Sequence, residues 1–100
     1  MRNQGLIIAN DSDFKRLKAL SMNLQRCGVS NGVITNNDAR VFSKLENFFD
    51  RVLLDAPCSG TGTISKSLKT LQIWNPNMVK KLAGQQKALL AAGFKALKPN

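Results

Sequence analysis

The 100-residue sequence has no histidine, two cysteines and six acidic residues. Without histidine there is no Ser-His-Asp set and no imidazole to complete a zinc site. Cys27 and Cys58 stand far apart in the chain, which is neither a disulfide framework nor a metal-ligand spacing. No metal is expected, and a reducing compartment follows, so the expected location is cytoplasmic. Long apolar runs are missing too. The start "MRNQGLIIAN" has four apolar residues in a row, too few for a signal peptide or a membrane span. No repeat, low-complexity tract or Gly/Ser/Pro-rich linker divides the chain, which leaves one domain at most. Acid is scarce and unevenly placed. Fifteen Lys and Arg against six Asp and Glu leave a net charge of +9, and after Asp55 come seven lysines and no acidic residue. That balance favours an anionic partner, and a solvated basic face would read the same way.

At 43% hydrophobic and 21% charged, the composition is that of a globular protein. "LIIA" (Leu6–Ala9) ends in Asn-Asp-Ser, as a buried parallel strand would. The next segment places Phe14, Leu17, Leu20/Ser21, Leu24 and Cys27 at steps of three and four. This predicts an amphipathic helix with Ser12 or Asp13 as N-cap, Arg26 in its last turn, Gly28 just past its end and Cys27 on its apolar side. "GVIT" (Gly32–Thr35) predicts a second strand and "DRVLLD" (Asp50–Asp55) a third. A long helix is expected from Asn75-Pro76, with Val79, Leu82, Leu89, Leu90, Phe94 and Leu97 as its apolar face and Lys98-Pro99 as its stop. Strand, helix, strand, linker, strand, helix is a parallel α/β pattern, in which ligands bind beyond the carboxyl ends of the strands. Asp11, Asp38 and Asp55 each follow an apolar run by one to three residues, and three carboxylates at successive strand ends suit a shared ligand. Both ends read as cut, which suggests an internal piece of a larger protein.

The most informative stretch is "RVLLDAPCSGTG", residues 51 to 62. Pro57 removes a backbone donor and ends the sheet ladder, while Gly60 and Gly62 let the chain turn sharply and a flat ligand approach. Cys58 is thereby presented beside the Asp55 carboxylate, at the top of a strand. "SGTGTISKS" lacks the spacing of a phosphate-binding P-loop, and Ser65 stands where a GxGxxG fingerprint needs glycine.

"LLDAPCSGTGTISK" resembles the fourth motif of the Nop/Sun family of RNA cytosine-5 methyltransferases, whose signature there is Asp-Ala-Pro-Cys-Ser-Gly. "GLIIANDSDFKRLKALSMNLQRCGVSNGVITNNDAR" is similar to the segment before that motif, and "LAGQQKALLAAGFKALKPN" to the helix after it. The resemblance covers essentially the whole chain. It implies a partial catalytic domain of a Rossmann-like class I methyltransferase fold with a mostly parallel sheet. The glycine-rich cofactor loop upstream and the Thr-Cys-Ser strand downstream would be absent, and the sheet would have a central gap. The chain is expected to be inactive alone.

The resemblance also implies roles. Asp11 matches the acid that holds the ribose hydroxyls of S-adenosylmethionine, Arg16 a basic position of the same cofactor site, and Asp38 the carboxylate near the adenine. Asp55 matches the aspartate facing both methyl donor and target cytosine. In this family a thiolate from Thr-Cys-Ser attacks carbon 6 of the base, and the Pro-Cys cysteine, here Cys58, is tied to breakdown of the adduct. The opposite assignment, with Cys58 attacking, is the alternative. The base must leave its stack to meet these groups. The implied partner is rRNA or tRNA. Lys66, Lys69 and Trp74 suit phosphate contact and base stacking, although Trp74 could equally anchor the helix start. Two other readings stand beside this one: a basic RNA-binding or assembly module without turnover, and a methyltransferase acting on another substrate class. Asp55 and Cys58 argue against the first, since a pure binding surface needs neither. A cysteine after the proline, where amino methyltransferases commonly place an aromatic, argues against the second.

Overall fold

The structure, a computed structural model, describes residues 2–59 and 74–99. The chain divides into two compact units, Met1–Val41 and Phe42–Asn100.

The first unit is a β-α-β arrangement. Strand β1 (Ile7–Asn10) pairs in parallel with β2 (Gly32–Thr35), with Ile7 opposite Gly32 and Asn10 opposite Thr35. Parallel neighbours require a crossover, and helix α1 (Phe14–Arg26) supplies it. Asp13 caps α1 by accepting from the Lys15 N–H at 2.9 Å. At the other end Gly28 takes a φ of +68°, and the N–H groups of Cys27, Gly28 and Val29 turn back onto the carbonyls of Asn23, Gln25 and Leu24. Leu17, Leu20, Ser21 and Leu24 are half-buried. A side chain added at Gly32 would meet Leu24 Cδ1 and Val29 Cγ1 at 3.5 Å, so α1 closes on β2 where the strand has no side chain of its own. β1 starts one residue later than the sequence suggests. Cys27, expected on the buried side, is exposed, because the helix ends there and the chain turns away at Gly28.

In the second unit, α2 (Pro76–Ala96) starts at Asn75, whose side chain accepts from the Met78 N–H at 2.8 Å, with Pro76 in the first turn as expected. A short 3-10 turn (Ala39–Lys44) spans the boundary between the units. Residues 47–50 then clasp the end of α2. The N–H groups of Phe48 and Phe49 donate to the Ala96 carbonyl at 3.0 and 2.9 Å, and Lys98 N–H returns to the Phe49 carbonyl at 2.8 Å. Ala92 and Ala96 are the buried residues here, since only small side chains let the clasp approach this closely. Edge-to-face contacts of Phe49 with Phe42 and Phe48 hold the clasp together.

Two expectations need correction. Residues 50–55 do not form a strand; only the single parallel bridge Phe49–Leu97 lies beside them. A strand is defined by its hydrogen-bonded neighbour. None runs alongside 50–55 among the described residues, and Leu53 is 97% exposed. The expected apolar face of α2 has the right spacing but is only partly covered: Leu82, Leu89 and Leu97 are half-buried, while Phe94 is 77% and Leu90 63% exposed and Val79 is exposed too. Val52 and Leu54 line a shallow cavity with Leu90, Phe94 and Leu97 without burying them, and the buried residues are the alanines beneath the clasp.

Candidate active site

Two of the expected acids lie together at the carboxyl end of the β1–β2 pair. Asp11 follows β1 directly. Its Oδ1 accepts from the Asp13 N–H and from Arg16 Nη2, both at 2.8 Å, while among the described residues nothing donates to its Oδ2. The Asp13 N–H, reinforced by the Arg16 guanidinium, holds the Asp11 carboxyl below the ordinary aspartate range, against a desolvation that pushes it up. Arg16 thus serves as the partner that orients Asp11, one turn into α1, and its Nε also lies 3.8 Å from Asp13 Oδ2.

Asp38 follows β2 by three residues. Both its oxygens are engaged by Arg40: Nε donates to Oδ1 at 2.9 Å and to Oδ2 at 3.0 Å, Nη2 donates to Oδ2, and the Arg40 N–H donates to Oδ1 at 3.0 Å. The guanidinium first, and the backbone N–H second, pull the Asp38 carboxyl down to about 2.

Asn10 joins these two strand ends. Its Oδ1 accepts from Thr35 Oγ1 at 2.9 Å and the Asn37 N–H at 3.0 Å, and its Nδ2 donates to the Asn37 carbonyl at 2.9 Å. Asn36 Nδ2 donates to the Asp11 carbonyl at 2.7 Å. The loop that carries Asp38 is therefore tied to the strand that carries Asp11. Asn10 and Arg40 escape a reading of the sequence. The pattern marks acids after apolar runs but not the side chains that fix them; the one available signal was the asparagine cluster "TNND".

Asp55 and Cys58 belong to the second unit, and both are exposed. The run that bears them passes α2 at Gly93, where an added side chain would meet Val52 Cγ1 at 3.4 Å. Gln86, in the middle of α2, reaches this run, its Nε2 donating to the Pro57 carbonyl at 2.8 Å. Trp74, immediately before the α2 cap, is 47% exposed, neither sealed as an anchor nor fully presented for stacking. Lys66 and Lys69, like Gly60, Gly62 and Ser65, lie outside the described residues. Among the described residues no three His, Cys, Asp or Glu side chains gather as metal ligands, and no helix is long and apolar enough to cross a membrane.

The two carboxylates of the first unit could hold a ligand that donates hydrogen bonds. An acceptor oxygen is left open on Asp11 at one strand end, and a carboxylate held ionised stands at the next. The family described as 16S rRNA methyltransferase RsmB/F matches residues 1–100. The ribosomal RNA small subunit methyltransferase F of Aeromonas salmonicida (strain A449) is 48% identical over 100 residues, covering 99% of this chain and 21% of that protein. The chain thus spans about a fifth of such a relative. Among solved structures, one described as PH0851 superposes with a TM-score of 0.91 at 33% identity, over 99% of this chain and 23% of that one. NSun6 from Pyrococcus horikoshii, solved with SFG, an S-adenosylmethionine analogue, gives a TM-score of 0.80 at 33% identity, over 96% of this chain and 24% of its own. The α/β architecture with its parallel strand pair is shared with these Sun/Nop methyltransferase structures.

Proposed function

The chain belongs to the RsmB/F family of 16S rRNA methyltransferases, and from that premise we infer that the whole protein transfers a methyl group from S-adenosylmethionine to carbon 5 of a cytosine in ribosomal or transfer RNA, in the cytoplasm. The observation that carries this reading is the Asp-Ala-Pro-Cys-Ser-Gly run, with Asp55 and Cys58 both exposed. Residues 1–100 are then part of the catalytic domain. The glycine-rich cofactor loop lies upstream in the whole protein, and the strand bearing Thr-Cys-Ser lies downstream.

When bound, S-adenosylmethionine supplies an electrophilic methyl on its sulfonium. Asp11 would accept from the ribose hydroxyls through its open Oδ2, with the Asp13 N–H first and Arg16 second favouring the ionised carboxylate and holding its Oδ1. Asp38 would accept from the adenine amine, and its pairing with Arg40 ensures that it is an acceptor at every working pH. Asp55 would hold the target cytosine next to the methyl donor, and Lys66, Lys69 and Trp74 would contact the RNA strand. Carbon 5 of cytosine is a weak nucleophile. Addition of the Thr-Cys-Ser thiolate to carbon 6 would shift the 5,6-double-bond electrons onto carbon 5, which would then take the methyl as the sulfur–methyl bond breaks and its electron pair stays on sulfur, leaving a neutral thioether. The adduct breaks down when a base removes the proton from carbon 5. That C–H pair re-forms the double bond, the C6–S bond breaks and the thiolate returns. Cys58 would assist this release.

The test is methyl transfer by the whole protein to 16S rRNA, read as modified nucleosides by mass spectrometry. The expected product is 5-methylcytidine, lost or strongly reduced in Asp55→Ala. Methylation of any other atom would overturn the reading.

A further inference from the structure

The bond between Gln86 and Pro57 has a consequence for Cys58. The Pro57 carbonyl belongs to the peptide that joins Pro57 to Cys58, and that peptide is planar. The proline ring already fixes φ of residue 57. Its ψ remains as a soft rotation, which swings the carbonyl and everything attached after it. A donor held on that oxygen sets the rotation, and with it the direction in which Cys58 leaves the chain. The donor must be firm, because residues 51–59 have no helical or strand hydrogen bonds of their own. Gln86 meets the need. It is half-buried in the middle of α2, it is anchored by a regular helix, and its Nε2 lies 2.8 Å from the oxygen. Glutamate at this position would aim an acceptor at an acceptor, and an apolar side chain would leave the carbonyl without the bond.

We propose that Gln86 is a positioning residue for Cys58: by holding the Pro57–Cys58 peptide from α2, it sets the thiol for release of the RNA adduct. This deepens the reading above and rests on its assignment of Cys58.

The test uses the whole protein with Gln86→Glu, which keeps the shape and loses the donor, and Gln86→Met, which keeps the length without a charge. Cys58→Ser is run alongside. Each is incubated with RNA and S-adenosylmethionine, and turnover, cofactor affinity, melting temperature and the fraction of protein carried with RNA on a denaturing gel are measured. Loss of one well-placed hydrogen bond should slow turnover about tenfold in both Gln86 variants. Their RNA-bound fraction should rise toward that of Cys58→Ser, while cofactor affinity and melting temperature stay at the wild-type values. Wild-type turnover in both variants would overturn the proposal. So would turnover, affinity and melting temperature falling together with no RNA-bound band, which is the mark of a structural tie alone. If Cys58→Ser traps RNA and the Gln86 variants do not, Gln86 fails and the reading of Cys58 stands. If Cys58→Ser traps none, both fall.

Discussion

Asp38 and Arg40 stand two positions apart, and their side chains meet through Nε and Nη2 on both carboxylate oxygens. Because the carboxyl titrates near 2 in the folded chain and at 3.8 ordinarily, the contribution of the pair to stability is complete above 3.8. It is lost as pH falls from there through about 2. Arg40→Met should return Asp38 toward 3.8, a shift that a carbon-13 titration of the side-chain carboxyl would follow directly. Asp11 is held less strongly, by the Asp13 N–H and Arg16. Asp11→Asn in the whole protein should weaken S-adenosylmethionine binding by about tenfold or more, because a charged acceptor for the ribose diol becomes a neutral one. Titration calorimetry would read it. The place of Asp11 and Asp38 at the two strand ends was legible in the sequence, because an acid shortly after an apolar run is a local signal. Arg40, Asn10 and Gln86 were not, since each matters only through the partner that tertiary structure brings to it.

At the scale of elements, the two helix starts and the end of α1 were written in local chemistry. Asp13 and Asn75 accept from N–H groups that the first turn cannot satisfy, and Gly28 takes a left-handed conformation. Asp13→Ala should cost about 1 kcal/mol of stability. Gly28→Ala should cost about 1 kcal/mol as well, although an added methyl would touch nothing within 4 Å, because the penalty lies in φ rather than in space. Urea denaturation of the whole protein checks both. Residues 50–55 are the opposite case. Their apolar run reads as a strand, but a strand exists only through a neighbour, and no local pattern can say whether the neighbour is present. The face of α2 taught the same lesson. Its three-and-four spacing was correct, and which residues became buried was decided by the clasp at Phe48 and Phe49.

For the whole molecule, the net charge of +9 and the seven lysines after Asp55 suit the phosphates of the RNA substrate proposed above. RNA affinity should fall steeply with salt. Lys66→Ala and Lys69→Ala should each lower the slope of log affinity against log salt by about 1, with little effect on cofactor binding. Filter binding across a salt series would measure it. The central claim is that Cys58 serves release rather than attack, within a methyltransferase that acts through a covalent RNA adduct. The most direct measurement is Cys58→Ser in the whole protein, incubated with RNA and S-adenosylmethionine and run on a denaturing gel. The account predicts a protein band retarded by bound RNA that the wild type lacks. No such band would contradict it, whether methylation is lost, as an attacking Cys58 would require, or continues at the wild-type rate.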